Sequence, residues 1–287
     1  MEAKAENPGF VGIGDDEVAA YRTDGALCLR GAFDAGWVAR LRNGVERNMC
    51  EPGPWAAEHR QGVGAGRFFE DYCNWQRIAE YRDFVLESPA AAIAARFMGA
   101  SAVQIFHEHV LIKEPGTAKR TPWHHDMPYY CVEGDQVISL WLALDPVPQA
   151  VCPEFVVGSH RWGKLYYPRT FEEGRDYDYG SEGFDPVPDI DAARNEHRLL
   201  SWSLEPGDAI LFHFLTLHGA PGNTAQSRRR GFATRWLGDD VRFAARPGVT
   251  SPPYPGIGLE PGDRLREDWF PVVWTRDRGR SGRLSPG

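Results

Sequence analysis

Beyond residue 100 the chain breaks into short, strand-like apolar runs at 102–112, 137–144, 154–157, 199–204, 209–215 and 231–237. Turn residues divide them: Pro115-Gly116, Pro146, Gly158, Pro206-Gly207 and Pro221-Gly222. Proline cannot donate into a strand ladder, and glycine takes the backbone angles of tight turns, so each run must find its partners far away in sequence. Many short strands of this kind close into a sandwich or jelly roll. The segment before residue 100 reads differently. Asp15 or Asp16 caps a first helix with Val18, Ala19 and Tyr21 on its apolar side, Gly25 ends it, and 26–29 is a short strand. Trp37, Leu41 and Val45 then recur at helical spacing, and 82–98 is predicted as one alanine-rich helix closed by Gly99. The stretch between, with Phe68, Phe69, Tyr72 and Trp75, reads as irregular, and its aromatics as core. The expected fold class is mainly β with flanking α-helices. We expect one domain over 1–287: a helical part at about 15–100, a jelly-roll core at about 101–237 and a tail at 238–287.

At a net charge of −8 the chain lacks the basic face of a nucleic-acid binder. Its five cysteines, Cys28, Cys50, Cys73, Cys131 and Cys152, are odd in number and scattered, which fits reduced thiols better than a disulfide framework. With no apolar leader at the start and no run long enough for a membrane span, a cytoplasmic protein is expected.

On this scaffold the informative pattern is His124-His125-Asp126, followed far downstream by His218 and the run Arg228-Arg229-Arg230. Two imidazoles and one carboxylate can hold non-haem Fe(II) by one face and leave the other open. Alternation along a strand would turn His124 and Asp126 the same way and His125 away. His218 falls after an apolar strand, just before Gly219, where a strand-end ligand belongs. In a chain with nine histidines a lone His-x-Asp is weak evidence, so the context has to carry the assignment. A guanidinium fork beside the metal would take a carboxylate bidentately, but parity leaves open whether Arg229 or the pair Arg228 and Arg230 faces inward. His107 shares parity with His109 and is a candidate for the pocket wall. Arg235 shares parity with Arg229 and could reach a substrate anion or pair with an acid. Tyr129 and Tyr130, just past the ligand strand, are candidate substrate wall. His160 and His213 read as structural, and His59 and His197 as surface residues.

From about Asp15 to Trp236 the chain resembles the phytanoyl-CoA dioxygenase family of Fe(II)/2-oxoglutarate oxygenases. The likeness lies in VAAYRTDGALCLRGAF, HEHVLIKEPGT, TPWHHDMPYY, VISLWLAL, EFVVGSHRWG, LEPGDAILFH and LHGAPGNTAQSRRRGF. The resemblance implies a double-stranded β-helix, a cupin-like jelly roll. It implies His124, Asp126 and His218 as iron ligands and Arg229 as the clamp on the distal carboxylate of 2-oxoglutarate. It also implies Trp141 and Lys113 as lining of the cosubstrate pocket, with His109 at another such position in a different residue type. Two positions depart from the family: His125 replaces a frequent glutamine, and Ala220 stands where some members use a serine hydroxyl on the cosubstrate. With Asp126 present, the implied reaction is hydroxylation of a small-molecule C–H bond by O2, with 2-oxoglutarate converted to succinate and CO2. The polar stretch 164–198 is the natural lid, and its acids disfavour an anionic substrate. The competing readings are a cupin-like metal-binding protein without catalysis and a metal-dependent hydrolase. The primary substrate and the oligomeric state are not legible in the residues.

Overall fold

The computed structural model describes residues 12–59, 66–170, 177 and 183–277. Helix α1 (Asp15–Asp24) opens with the Glu17 carboxylate accepting the Gly14 N–H and ends at Gly25, whose φ of 82° lets its N–H turn back to the Tyr21 carbonyl. Strand β1 (Ala26–Leu29) follows, then α2 (Ala35–Cys50), capped by the Asp34 side chain on the Trp37 N–H. Two short strands, β2 (Ala57–His59) and β3 (Phe68–Tyr72), occupy the stretch read from sequence as irregular. The single helix expected over 82–98 is two, α3 (Ala79–Glu87) and α4 (Ala90–Met98). Pro89 divides them, because it has no N–H to give and disfavours helical geometry at Ser88.

The remaining strands are β4 (Ala102–Lys113), β5 (Thr121–His124), β6 (Val132–Glu133), β7 (Val137–Ala143), β8 (Glu154–Val156), β9 (Leu199–Leu200), β10 (Ala209–Phe212), β11 (His218–Ala220), β12 (Arg229–Leu237), β13 (Arg242–Phe243) and β14 (Val272–Thr275). One large sheet runs β1-β10-β7-β12-β4-β3-β2, with β14 also paired to β4. A smaller sheet runs β5-β11-β8-β9, and β13 pairs with β6. The pairings are antiparallel, and the two sheets form the jelly roll expected from the strand pattern. The tail adds more than aromatic packing, since β14 extends the large sheet and Phe270 is fully buried.

Each face of the large sheet is covered, and alternation along β12 sorts its residues between them. Phe232 and Trp236 join Ile105, Val110, Ile112, Leu140 and Leu142 in a core with Leu41, Val45, Tyr81, Phe84, Ile93 and Phe97 of the helices. Burial of each such side chain contributes about 1.5–3 kcal/mol. Arg229 and Arg235 therefore face the other way, into a cavity between the sheets. Register fixes their neighbours: Arg235 lies across from His107 and Ser139, and Ala233 across from His109 and Trp141.

Glu108 points to the helix side, fully buried, with its two carboxylate oxygens accepting the Asn74 and Trp75 N–H groups. Burial pushes its pKa from an ordinary 4.5 up to about 8, against the pull of those hydrogen bonds. A folded value above the unfolded one gives a contribution to stability that is full below the unfolded value and is lost as pH rises through about 8. Glu108→Gln is expected to abolish this slope in a series of thermal midpoints taken across that range. It should also lower stability at acid pH by about 1–3 kcal/mol, because one N–H loses its acceptor. An unchanged slope would show that Glu108 stays ionised in the fold.

Candidate metal centre

Strand β11 pairs with β5 so that His218 and His124 are directly opposed, with ring centroids 4.2 Å apart. Their tautomers follow from the backbone. His124 Nδ1 donates to the Pro122 carbonyl at 2.8 Å and His218 Nδ1 to the Thr216 carbonyl at 2.9 Å, which puts the lone pair of each neutral ring on Nε2. Both Nε2 atoms lie 3.8 Å from Asp126 Oδ1. The ligand atoms of His124, Asp126 and His218 all fall within 4.8 Å of one another, and all three residues are buried.

Asp126 reaches this position by a route other than strand alternation. Strand β5 ends at His124, and Asp126 has helical angles (φ −71°, ψ −36°) at the head of a 3-10 turn spanning Met127–Tyr129. The Met127 N–H donates to the Phe214 carbonyl at 3.0 Å and anchors the turn. Likewise the strand before His218 stops at Phe212, and His218 begins β11. The His218 ring lies between Phe155, nearly parallel at 5.7 Å, and Phe212 at 4.6 Å.

Asp126 Oδ2 accepts from Ser139 Oγ at 2.9 Å and lies 3.7 Å from Arg235 Nε. Burial raises the Asp126 pKa, but Arg235, His218 and His124 outweigh it and hold the carboxyl far below its usual range. Burial lowers His124 to about 3 and also lowers His218. The donor set is thus two neutral imidazoles and an ionised carboxylate at ordinary pH, with no thiolate, which suits a divalent iron held on one face.

His125 faces away, as alternation predicts, and its Nε2 accepts the Tyr166 N–H at 2.9 Å. His160 approaches the Arg22 carbonyl, and His213 bridges the Asp135 carbonyl and the Leu215 N–H, so both do backbone work.

A cavity of about 300 Å³ opens on the triad. The arginine run resolves by burial. Arg228 and Arg230 form ion pairs with Glu46, Glu114 and Asp145 on the outside. Arg229 is buried and lines the cavity. It donates from one guanidinium nitrogen to the Val151 carbonyl, and no carboxylate pairs with it among the described residues. Burial draws its pKa down to about 10, the mark of a cation short of a counter-charge. Trp141 walls the cavity beside it. Its ring lies where a Gly231 Cβ would sit, at 2.2 Å, so only glycine admits the ring here.

Lys113 departs from the expectation that it lines the cosubstrate pocket. Its ammonium is fully buried and gives its three protons to the Lys119 and Pro221 carbonyls and Thr121 Oγ1, and it is not among the cavity residues. Thr121 lies opposite Ala220 in the β5–β11 register, and both line the cavity, so a hydroxyl is at hand where Ala220 has none. His107, Tyr129, Tyr130 and Arg235 line the cavity as well. The Arg235 Nε donates to Tyr130 Oη at 3.1 Å, besides its approach to Asp126.

Several cavity residues escaped the reading of the sequence. His59, taken for a surface residue, is packed against Glu70, which also holds His109. Tyr72 lines the cavity where core was expected, whereas Phe69 and Trp75 are core. Trp55 from the helical part and Ser251 and Pro252 from the tail also reach it. Of the stretch 164–198 expected as a lid, Arg169, Thr170 and Tyr177 line the cavity, and the Tyr129 hydroxyl is held between the Arg169 N–H and carbonyl. Residues 171–176 and 178–182 of that stretch lie outside the described residues. No helix among the described residues is long and apolar enough to cross a membrane.

A family model described as Phytanoyl-CoA dioxygenase (PhyH) matches residues 21–231. A curated relative from Caenorhabditis elegans, "Probable phytanoyl-CoA dioxygenase", is 23% identical over 186 residues. That alignment covers 63% of this chain and 54% of the relative, so the chain spans about half the relative's length. Among solved structures, the non-heme alpha ketoglutarate dependent carbocyclase SnoK from nogalamycin biosynthesis is similar, with a TM-score of 0.68, 23% identity and 91% of this chain and 97% of the other covered. The epimerase SnoN in complex with Fe3+, alpha ketoglutarate and nogalamycin RO has a TM-score of 0.69 at 24% identity, covering 90% and 97%. At these identities the likeness establishes the shared fold.

Proposed function

The chain belongs to the phytanoyl-CoA dioxygenase family, and from that premise we propose that it is an Fe(II)/2-oxoglutarate-dependent oxygenase. In this reading it hydroxylates an unactivated C–H bond of a small molecule, acting in the cytoplasm as one oxygenase domain. One observation carries the reading: a single cavity holds both the triad of metal donors and a buried guanidinium with no acidic partner among the described residues. A buried cation without an anion is costly, so the cavity calls for a ligand that brings a carboxylate to Arg229.

His124, Asp126 and His218 would hold the iron through two Nε2 atoms and Oδ1. When bound, iron supplies the activation of O2, coupled to conversion of 2-oxoglutarate to succinate and CO2 while the substrate C–H becomes C–OH. The chain's own part is positioning. Pro122 and Thr216 carbonyls fix the two rings, and Ser139 and Arg235 keep Asp126 ionised and oriented. Arg229 receives the distal carboxylate of 2-oxoglutarate, and Trp141, braced on Gly231, walls the cosubstrate beside it. Tyr129, Tyr130 and His107 then face the substrate, and the Tyr129 hydroxyl ties down the stretch that begins at Arg169. The similar proteins named as a carbocyclase and an epimerase support a second reading at the same centre, in which C–H cleavage ends in ring closure or inversion.

The test is anaerobic. Adding Fe(II) and 2-oxoglutarate to the full chain is expected to give a visible charge-transfer band, and admitting O2 should convert 2-oxoglutarate to succinate. Folded, iron-loaded protein without a band would favour the cupin-like or hydrolase reading instead.

A further inference from the structure

A cluster of titratable groups in the cavity wall has no part in the chemistry above. On β2, β3 and β4, Glu70 stands between two imidazoles: His59 Nε2 is 2.8 Å from one carboxylate oxygen and His109 Nε2 is 3.2 Å from the other. All three line the cavity. Burial alone would raise the Glu70 pKa, but the hydrogen bonds from His109 and His59 prevail and lower it to about 2. A carboxylate only accepts, so each ring donates through Nε2, and each Nδ1 carries a lone pair when the ring is neutral. Neither Nδ1 has a partner among the described residues, and neither is sealed from solvent. The array therefore presents hydrogen-bond acceptors to the cavity, held in place by the carboxylate behind them.

A second, independent feature adjoins it. Trp55 is 40% exposed, a rare state for a large apolar side chain here, yet it lines this cavity and stacks parallel to Tyr72 at 6.1 Å. Tyr72 in turn meets His109 edge-on at 5.4 Å. A partly exposed indole in the cavity wall beside these acceptors fits a flat ring that carries a proton donor.

We propose that Trp55, Tyr72 and the His59–Glu70–His109 array form the primary-substrate subsite, and that its ligand is a planar ring bearing a hydroxyl group. The ring stacks on Trp55 and the hydroxyl donates to an imidazole Nδ1, with Glu70 as the positioning residue that fixes both rings. The inference rests on the oxygenase reading, because it names the substrate class of that same cavity. It reassigns His109 from the cosubstrate to the substrate.

The experiment uses the iron-loaded full chain with 2-oxoglutarate under nitrogen and two probes, 2-naphthol and 2-methoxynaphthalene, which differ in the proton the hydroxyl donates. Equilibrium dialysis is expected to show 2-naphthol bound on the order of tenfold more tightly than the ether. Glu70→Gln and His109→Phe should remove that preference and leave the 2-oxoglutarate band intact, while Trp55→Ala should weaken both probes alike. Equal binding of the two probes by wild type overturns the inference without any variant. So does a preference that survives both array variants, or tighter binding of a naphthylmethylammonium ion. A band weakened by His109→Phe with the preference untouched would return the array to the cosubstrate. These results leave the oxygenase reading standing, whereas a missing band in wild type removes that reading and the inference together.

Discussion

Asp126→Ala is expected to reduce succinate formation by on the order of a thousandfold or more and to abolish stoichiometric iron binding, with the circular dichroism spectrum preserved. Asp126 contributes the only carboxylate of the triad, and Oδ1 is the atom equidistant from both imidazole Nε2 atoms. The same change strips Arg235 of its nearby counter-charge and leaves its Nε with Tyr130 Oη alone. The variant should therefore also melt earlier than wild type, since a buried cation left unpaired is destabilising. His218→Ala separates the two effects. It should lose turnover equally but melt closer to wild type, because Asp126 and Arg235 stay together. Succinate formation at the wild-type rate in either variant would sink the iron assignment.

Arg229→Ala should leave iron binding unchanged and weaken 2-oxoglutarate by on the order of a hundredfold or more, read as loss of the anaerobic band at cosubstrate levels that saturate wild type. The guanidinium is buried and already anchored to the Val151 carbonyl, so its fork is set before the ligand arrives. Arg229→Lys should recover little. A lysine ammonium is a point charge and cannot satisfy that carbonyl and a bidentate carboxylate in one plane. Unchanged cosubstrate affinity in Arg229→Ala would move the clamp to another cation of the cavity.

Much of the centre was legible before folding. His124, Asp126, His218 and Arg229 stood out because the chemistry of each is rare in combination and the strand pattern put them on one scaffold. For Asp126 the route differs from the one that strand alternation suggests. Alternation assumes a strand through residue 126, but the backbone leaves β-geometry after His124 and delivers the carboxylate through a helical turn tied to Phe214. Lys113 shows the opposite case, a residue whose place only the fold decides. The residue matches a pocket position by resemblance, yet a lysine this buried must satisfy its three protons nearby, and the carbonyls of Lys119 and Pro221 together with Thr121 Oγ1 do so. Glu70 and His59 were invisible because β2 and β3 are short and carry no apolar rhythm. Their meeting depends on a pairing between strands that sequence does not mark.

The sequence by itself determined the kinds of atom available and their order: two imidazoles, a carboxylate, an arginine run, and short strands cut by Pro and Gly that have to pair at long range. Tertiary structure decided which way each side chain faces. Local parity offered Arg229 or its two neighbours equally, since β12 is covered on both sides. Burying Phe232 and Trp236 against the helices settled the choice, because turning the strand over would take two large apolar side chains out of that core and drive Arg229 and Arg235 into it. With that face committed, Arg229 and Arg235 had only the cavity left.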